Sequence, residues 1–178
     1  MVNPLWSTSF FRSKKEEESL AYFLSQVPIF SDLGKRDCGQ LESLVHCRSY
    51  RQNETIFEEG DPGSGMYIIR SGRVQVFTRM SDGSEMELAR LDEGDFFGET
   101  TLTAPANRTA SVRAVEPTEL LGLFRADVVE MVKKQPPVAC KILMGVTRII
   151  SERLQIAGKE LMEFRQEKAR AAAEDEAS

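Results

Sequence analysis

"RVQVFTRMSDGSEMELARL", residues 73–91, decides the fold. Val74, Val76 and Thr78 alternate with polar neighbours, the period of a half-buried strand, and Asp82-Gly83 supplies the positive φ angles of a tight turn. The stretch predicts a β-hairpin. On its N-terminal side Gly60, Gly63, Gly65 and Gly72 punctuate the segment around "MYIIRSG" in the same manner. From Arg48 to Phe124 the chain consists of short runs rich in Val, Ile, Tyr, Phe and Thr, separated by Gly, Asp, Ser and Pro at close intervals. Six or more such strands favour a sandwich or small barrel over isolated hairpins, because only face-to-face packing buries both sets of apolar sides. The middle of the chain is therefore expected to be a jelly-roll β-sandwich.

Helical periods flank this region. Residues 14–26 place Leu20, Phe23, Leu24 and Val27 at spacings of three and four, which predicts a first short helix. After "VPIFSDLG", Leu41, Leu44 and Val45 predict a second, with Asp37 or Ser31 as its cap. Beyond Arg125, "ADVVEMVKK" is helical again, stops before Pro136-Pro137, and restarts as a long helix from Val138 to about Ala173. In that helix Ile150, Leu154, Ala157, Leu161 and Phe164 form the 4-3 seam of a coiled coil. Ile142, Leu143 and Val146 are expected to pack back on the sheet, whereas the seam past Leu154 predicts a homodimer through this helix. The expected organisation is mainly β with flanking helices. It comprises an N-terminal segment and first helix (1–27), a β-roll with its hinge (28–135), a long C-terminal helix (136–173) and a disordered tail (174–178).

Composition narrows the function. A chain of 178 residues, 41% hydrophobic, can bury one real core. A net charge of −5 and a pI near 5.1 argue against nucleic acid or an anionic membrane surface as partner, since neither polyanion meets a basic face. Cys38, Cys47 and Cys140 are an odd number without CxxC spacing, and are expected to be small buried hydrophobes in a reducing compartment. The N-terminus lacks a signal-peptide core and no run approaches a membrane span, so the chain reads as cytoplasmic. With His46 its single histidine, the chain cannot assemble the histidine cluster of a metal-dependent β-barrel enzyme. Glu58-Glu59 reads as a solvated turn, and no catalytic site is visible. The run "KKEEE" at 14–18 reads as a solvated face, while Trp6, Phe10 and Phe11 are expected to dock on the body.

The candidate site lies in "GDFFGETTLTAPANRTASVRAV", residues 94–115. Gly98 followed by "ETTL" suggests one helical turn whose free amides at Glu99, Thr100 and Thr101 hold an anion. Past a loop with Pro105 and Asn107, Arg108 stands just before a strand resumes, so its guanidinium can fold back over the same anion. The Glu99 carboxylate cannot hold an anion, yet it accepts hydrogen bonds from hydroxyls such as a ribose 2′-OH. Together these groups describe a sugar phosphate. A plain Glu99–Arg108 salt bridge is the competing structural reading.

Phe97-Gly98-Glu99, then Leu102, then Arg108-Thr109-Ala110 with Val112 resembles the phosphate-binding cassette of the cyclic nucleotide-binding domain family, of the catabolite activator and protein kinase A regulatory subunit type. "EEGDPGSGMYIIRSGRVQV" (58–76) is similar to the family's glycine-marked strands, and the resemblance spans residues 20 to 165, with the cassette at 97–112. It implies that the ligand is cAMP or cGMP, with no further cofactor. It also implies that Arg108 pairs with the cyclic phosphate, that Glu99 accepts from the ribose, and that the amides of Gly98, Thr100, Thr101 and Ala110 complete the cradle beside Phe97. Thr109 resembles the hydroxyl of cGMP-type sites. "RLQIAGKE" (153–160) resembles the activators' long helix, but Ala157 and Gly158 stand where those carry adenine-reading hydroxyls. Apolar contact from Ile156 or Leu161 is expected to cap the base instead. The expected function is a stand-alone sensor, cAMP slightly favoured over cGMP, that signals through repositioning of the long helix. The polar stub after that helix is too short for the activators' DNA-reading module, and the expected reader of the signal is an unknown protein or the twin subunit. The alternative is a scaffold that keeps the fold and binds no ligand.

Overall fold

The computed structural model describes residues 19–176, with side chains through residue 168. The expectations on Trp6, Phe10, Phe11 and the charged run at 14–18 lie outside the described residues. Helix α1 (Leu20–Gln26) begins where Ser19 Oγ accepts from the amide of Tyr22 at 3.1 Å. A 3-10 turn (Pro28–Phe30) leads to α2 (Lys35–Glu42). Neither expected residue sits at the N-cap of α2. Gly34 does, and its N–H donates to Asp37 Oδ2 at 3.2 Å, so Asp37 closes the helix start from its first turn. Ser31 instead ends the preceding turn.

Ten strands follow among the described residues: β1 (His46–Tyr50), β2 (Thr55–Phe57), β3 (Pro62–Gly63), β4 (Gly65–Ser71), β5 (Val74–Arg79), β6 (Glu85–Leu91), β7 (Phe96–Phe97), β8 (Ala106–Asn107), β9 (Ser111–Ala114) and β10 (Thr118–Phe124). They form two four-stranded antiparallel sheets, β1-β10-β4-β7 and β2-β9-β5-β6, with β3-β8 as a short third ribbon. This is the expected β-sandwich. The first sheet is covered on both faces, and alternation along β4 and β10 explains how. Met66, Ile68, Leu121 and Leu123 enter a core shared with the helices, while Ile69 and Leu120 join Val74, Phe97 and Val112 between the sheets.

The hairpin read from residues 73–91 forms, with two differences. The register shifts between Val76 and Phe77, so Phe77 is buried and the simple alternation through Thr78 breaks at a bulge. Gly83 has a positive φ (84°) but Asp82 does not; Asp82 Oδ1 instead accepts from the Ser84 amide at 2.9 Å and from Ser84 Oγ at 2.6 Å.

Two helices close the chain, α3 (Arg125–Lys134) and α4 (Pro136–Glu176). The prolines expected to precede the long helix are its first residues, because the amides of a first helical turn have no intrahelical acceptor to lose. The helix also runs past Ala173 through Glu176, in an Ala-rich stretch of strong helix formers, where a disordered tail was expected; residues 177–178 lie outside the described ones. Val138, Ala139, Ile142 and Val146 of its first half are buried with Leu24, Ile29, Phe30 and Leu41. Contact is close enough that a Cβ at Gly145 would overlap the carbonyl oxygen of Ile29. Lys141–Asp37 (2.6 Å) and Arg148–Asp32 (3.3 Å) clasp the same face. Cys38 is buried as expected of a small hydrophobe, but Cys47 and Cys140 are exposed, since one lies on the outer strand β1 and the other on a turn of α4 facing away from the core. No helix among the described residues is long and apolar enough to cross a membrane.

Candidate functional site

Between the cassette and the second sheet lies a cavity of about 340 Å³, within the ~300–1,000 Å³ range of small-molecule sites. Its polar lining comes from Gly98, Glu99, Thr100, Arg108, Thr109 and Arg153, and its apolar lining from Phe57, Val76, Ala89, Leu91, Phe97, Ala110 and Val112. At the end of β7 the chain turns through Gly98, whose φ of 77° suits glycine and where a Cβ would overlap Nη1 of Arg108. Glu99–Thr101 then form a single 3-10 turn, with Leu102 driven into the core as an anchor.

Thr101 departs from its expected role. It is fully buried and does not line the cavity; its amide donates to Gly98 O at 3.3 Å, an intraturn bond that leaves nothing for a ligand. Its hydroxyl oxygen instead accepts from Arg108 Nη1 at 3.0 Å.

Arg108 is pinned before its side chain begins. Its amide donates to Asp61 O and its carbonyl accepts from the Gly60 amide, each at 2.8 Å. From there Nη1 donates to Gly65 O at 2.8 Å, Gly98 O at 3.2 Å and Thr101 Oγ1 at 3.0 Å. The residue is only 7% exposed, and no ion pair among the described residues includes it. Desolvation by burial pushes its pKa down from the usual arginine value. A buried cation whose partners are neutral oxygens faces a cavity, an arrangement that favours an incoming anion.

Glu99 does not pair with Arg108, so the competing salt-bridge reading is not what forms. Glu99 Oε1 accepts from Arg153 Nη1 at 3.1 Å, and Arg153 Nη2 donates to Phe96 O at 3.2 Å, with its guanidinium 4.5 Å from the Phe96 ring centroid. Arg153, on α4, lines the cavity, whereas Ile156 and Leu161, expected to cap a base, do not and are 58% and 50% exposed. They project from the part of α4 that has left the body. Arg153 was legible only as a charged residue beside the apolar seam, and the pairing that gives it meaning spans two elements far apart in the chain. A further arginine, Arg125 at the start of α3, donates from Nη1 to Thr101 O at 3.0 Å and so ties the cassette turn to the helix that follows the sheet. Among the described residues no group of three His, Cys, Asp or Glu could hold a metal ion.

The comparisons agree with this geometry. The model of the cyclic nucleotide-binding domain matches residues 47–135. The chain is 37% identical over 134 residues to the cyclic AMP receptor protein of Thermus thermophilus, covering 75% of this chain and 60% of that protein. It is 37% identical over 107 residues to the cAMP-dependent protein kinase type II regulatory subunit of Drosophila melanogaster, covering 60% of this chain and 27% of that protein. It thus spans less than two thirds of the length of these relatives. Among solved structures, Thermus thermophilus catabolite activator protein superimposes with a TM-score of 0.69 at 35% identity, over 75% of this chain and 61% of that one. A cyclic nucleotide-binding domain from Methylobacillus flagellatus gives 0.72 at 21% identity over 84% of each chain, a likeness of fold alone. Sandwich, cassette and sequence converge, and the chain belongs to the cyclic nucleotide-binding domain family.

Proposed function

We propose that this chain is a sensor that binds a purine 3′,5′-cyclic monophosphate in the cavity beside Arg108 and transmits occupancy through α4. The observation that carries the reading is a guanidinium 7% exposed, held by neutral oxygens in a cavity of small-molecule size. The cyclic phosphate supplies the missing negative charge. Arg108 meets it with the amides of Gly98, Thr100 and Ala110, beside Phe97. The ribose 2′-OH donates to Glu99, whose Oε2 is not the oxygen taken by Arg153. The base rests on Val76, Ala89, Leu91 and Val112, with Thr109 at hand for a purine amino group. The names of the relatives favour cAMP slightly over cGMP.

Output follows from Arg153. The carboxylate that would accept from the ribose also holds α4, so ligand and helix share one acceptor, and filling the cavity shifts the population of helix positions. Leu154 (72% exposed), Leu161 and Phe164 leave an apolar face on the outer part of that helix, which supports a homodimer or an unknown downstream protein as the reader. On this reading the protein is cytoplasmic, performs no catalysis, and attaches to neither nucleic acid nor membrane. The same apolar face favours the second reading, a scaffold that works by its helices alone.

Calorimetric titration with cAMP and with cGMP decides between them. Saturable binding of either, one per chain, is expected, and no heat with both overturns the sensor. Light scattering on the protein carrying Leu154→Asp with Leu161→Asp tests the helix: a dimer in the wild type and a monomer in the variant are expected.

A further inference from the structure

We propose that Phe57, outside the cassette, is the positioning residue for Arg108, its ring fixing the plane in which the guanidinium meets the cyclic phosphate. This rests on the reading of the cavity as a cyclic nucleotide site. Arg108 is buried without a carboxylate, and its hydrogen bonds to Gly65, Gly98 and Thr101 all leave from one nitrogen, Nη1. They anchor one corner of the guanidinium, while no hydrogen bond among the described residues leaves Nη2 or Nε. The guanidinium carbon Cζ lies over the Phe57 ring, 4.1 Å from its centroid, with the Tyr67 centroid at 5.9 Å. An aromatic face attracts a cation through its quadrupole, most strongly where water is excluded, so Phe57 replaces part of the lost hydration and steadies the end of the group that no hydrogen bond holds.

The ring is itself held. Phe57 pairs with Val112 across β2 and β9, and its ring packs on Phe97 (5.8 Å, 46° between planes) and Tyr67 (6.2 Å, 30°). A hydrogen bond to a guanidinium runs in its plane, along the N–H bonds, whereas an aromatic ring stacks on its face. Phosphate and ring therefore occupy different sides of Arg108 and do not compete. Phe57 keeps Nη2 and Nε oriented before the ligand arrives, so less ordering is left for the binding step.

The test compares Phe57→Leu and Phe57→Met, which keep an apolar side chain and lose the quadrupole, with Phe57→Tyr and Phe57→Trp, which keep both. Affinity for cAMP and cGMP is read by calorimetry. The Arg108 Nε–H resonance of the ligand-free protein, shifted by the ring in the wild type, is read by NMR. The aliphatic variants should bind roughly 10- to 30-fold more weakly and lose the ring-current shift, while the aromatic variants stay within about threefold of wild type. If the wild type binds and the aliphatic variants match it, the role of Phe57 falls while the sensor stands. If aliphatic and aromatic variants weaken alike, Phe57 is packing only and the proposal is overturned. If the wild type binds neither nucleotide, the sensor reading falls and takes this role with it.

Discussion

Two arginines border the same cavity under opposite terms. Arg108, on its floor, is 7% exposed, with neutral oxygens and an aromatic face for company. Arg153, at its edge, is half in solvent and has a carboxylate, Glu99, at 3.1 Å. A cation buried without a counter-charge carries a desolvation cost that only an anion removes. A cation paired at the surface loses little when its pair opens, because water takes over. On the proposed reading the difference divides the labour within the site: the floor would supply affinity, and the edge a contact that can be exchanged.

The comparison breaks most readily at the floor. Arg108→Ala should weaken cAMP and cGMP by roughly 30-fold to several thousandfold, the ~2–5 kcal/mol of truncating a buried partner to a charged ligand, measured by calorimetry. Binding equal to wild type would end the assignment. Next comes the seat of α4. Gly145→Ala puts a methyl into the Ile29 carbonyl and should cost about 2–3 kcal/mol, lowering Tm by roughly 5–10 °C in a thermal melt. It should also pull Arg153 from Glu99, seen as faster amide exchange around residue 153.

Smaller effects sharpen the contrast. Thr109→Ala removes a hydroxyl that lines the cavity and should weaken cGMP by about 3- to 10-fold while leaving cAMP nearly unchanged; equal loss of both would place Thr109 on the phosphate instead. Arg153→Ala should change either affinity by less than about fivefold, as expected when the cation removed is itself largely solvated, its side chain 42% exposed. Hydrogen exchange should nonetheless report that ligand no longer alters the protection of α4. A loss from Arg153→Ala as large as that from Arg108→Ala would erase the distinction between floor and edge.

Those residues also mark what a reader of the chain can see. That Gly98, Glu99 and Arg108 come together at one cavity is legible in the sequence because the cassette is local: a glycine turn, a carboxylate and a guanidinium within eleven residues have few ways to be arranged. Thr101 stands in the same stretch, yet the structure sets it apart from the cavity, since whether an amide faces outward or its own turn depends on how tightly that turn winds, and a 3-10 turn spends it internally. Phe57 and Arg153 carry no local signal, as each meets the cassette only through a contact across the fold. Ile156 and Leu161 had the right chemistry to cap a base but sit on the part of α4 that projects from the body.

Taken by itself, the order of residues determined the sandwich, through alternation and turn residues, the flanking helices, through their 3–4 spacing, and the cassette, through short-range geometry. Those are properties of neighbours along a chain, set by the pitch of a helix, the pleat of a strand and the sterics of glycine. Tertiary packing alone decided that Arg108 would lack a carboxylate, that the Phe57 ring would lie against its guanidinium, and that Glu99 would pair with Arg153 of α4. Burial and charge pairing depend on what is brought close in space, and that is not written in the spacing of any one segment.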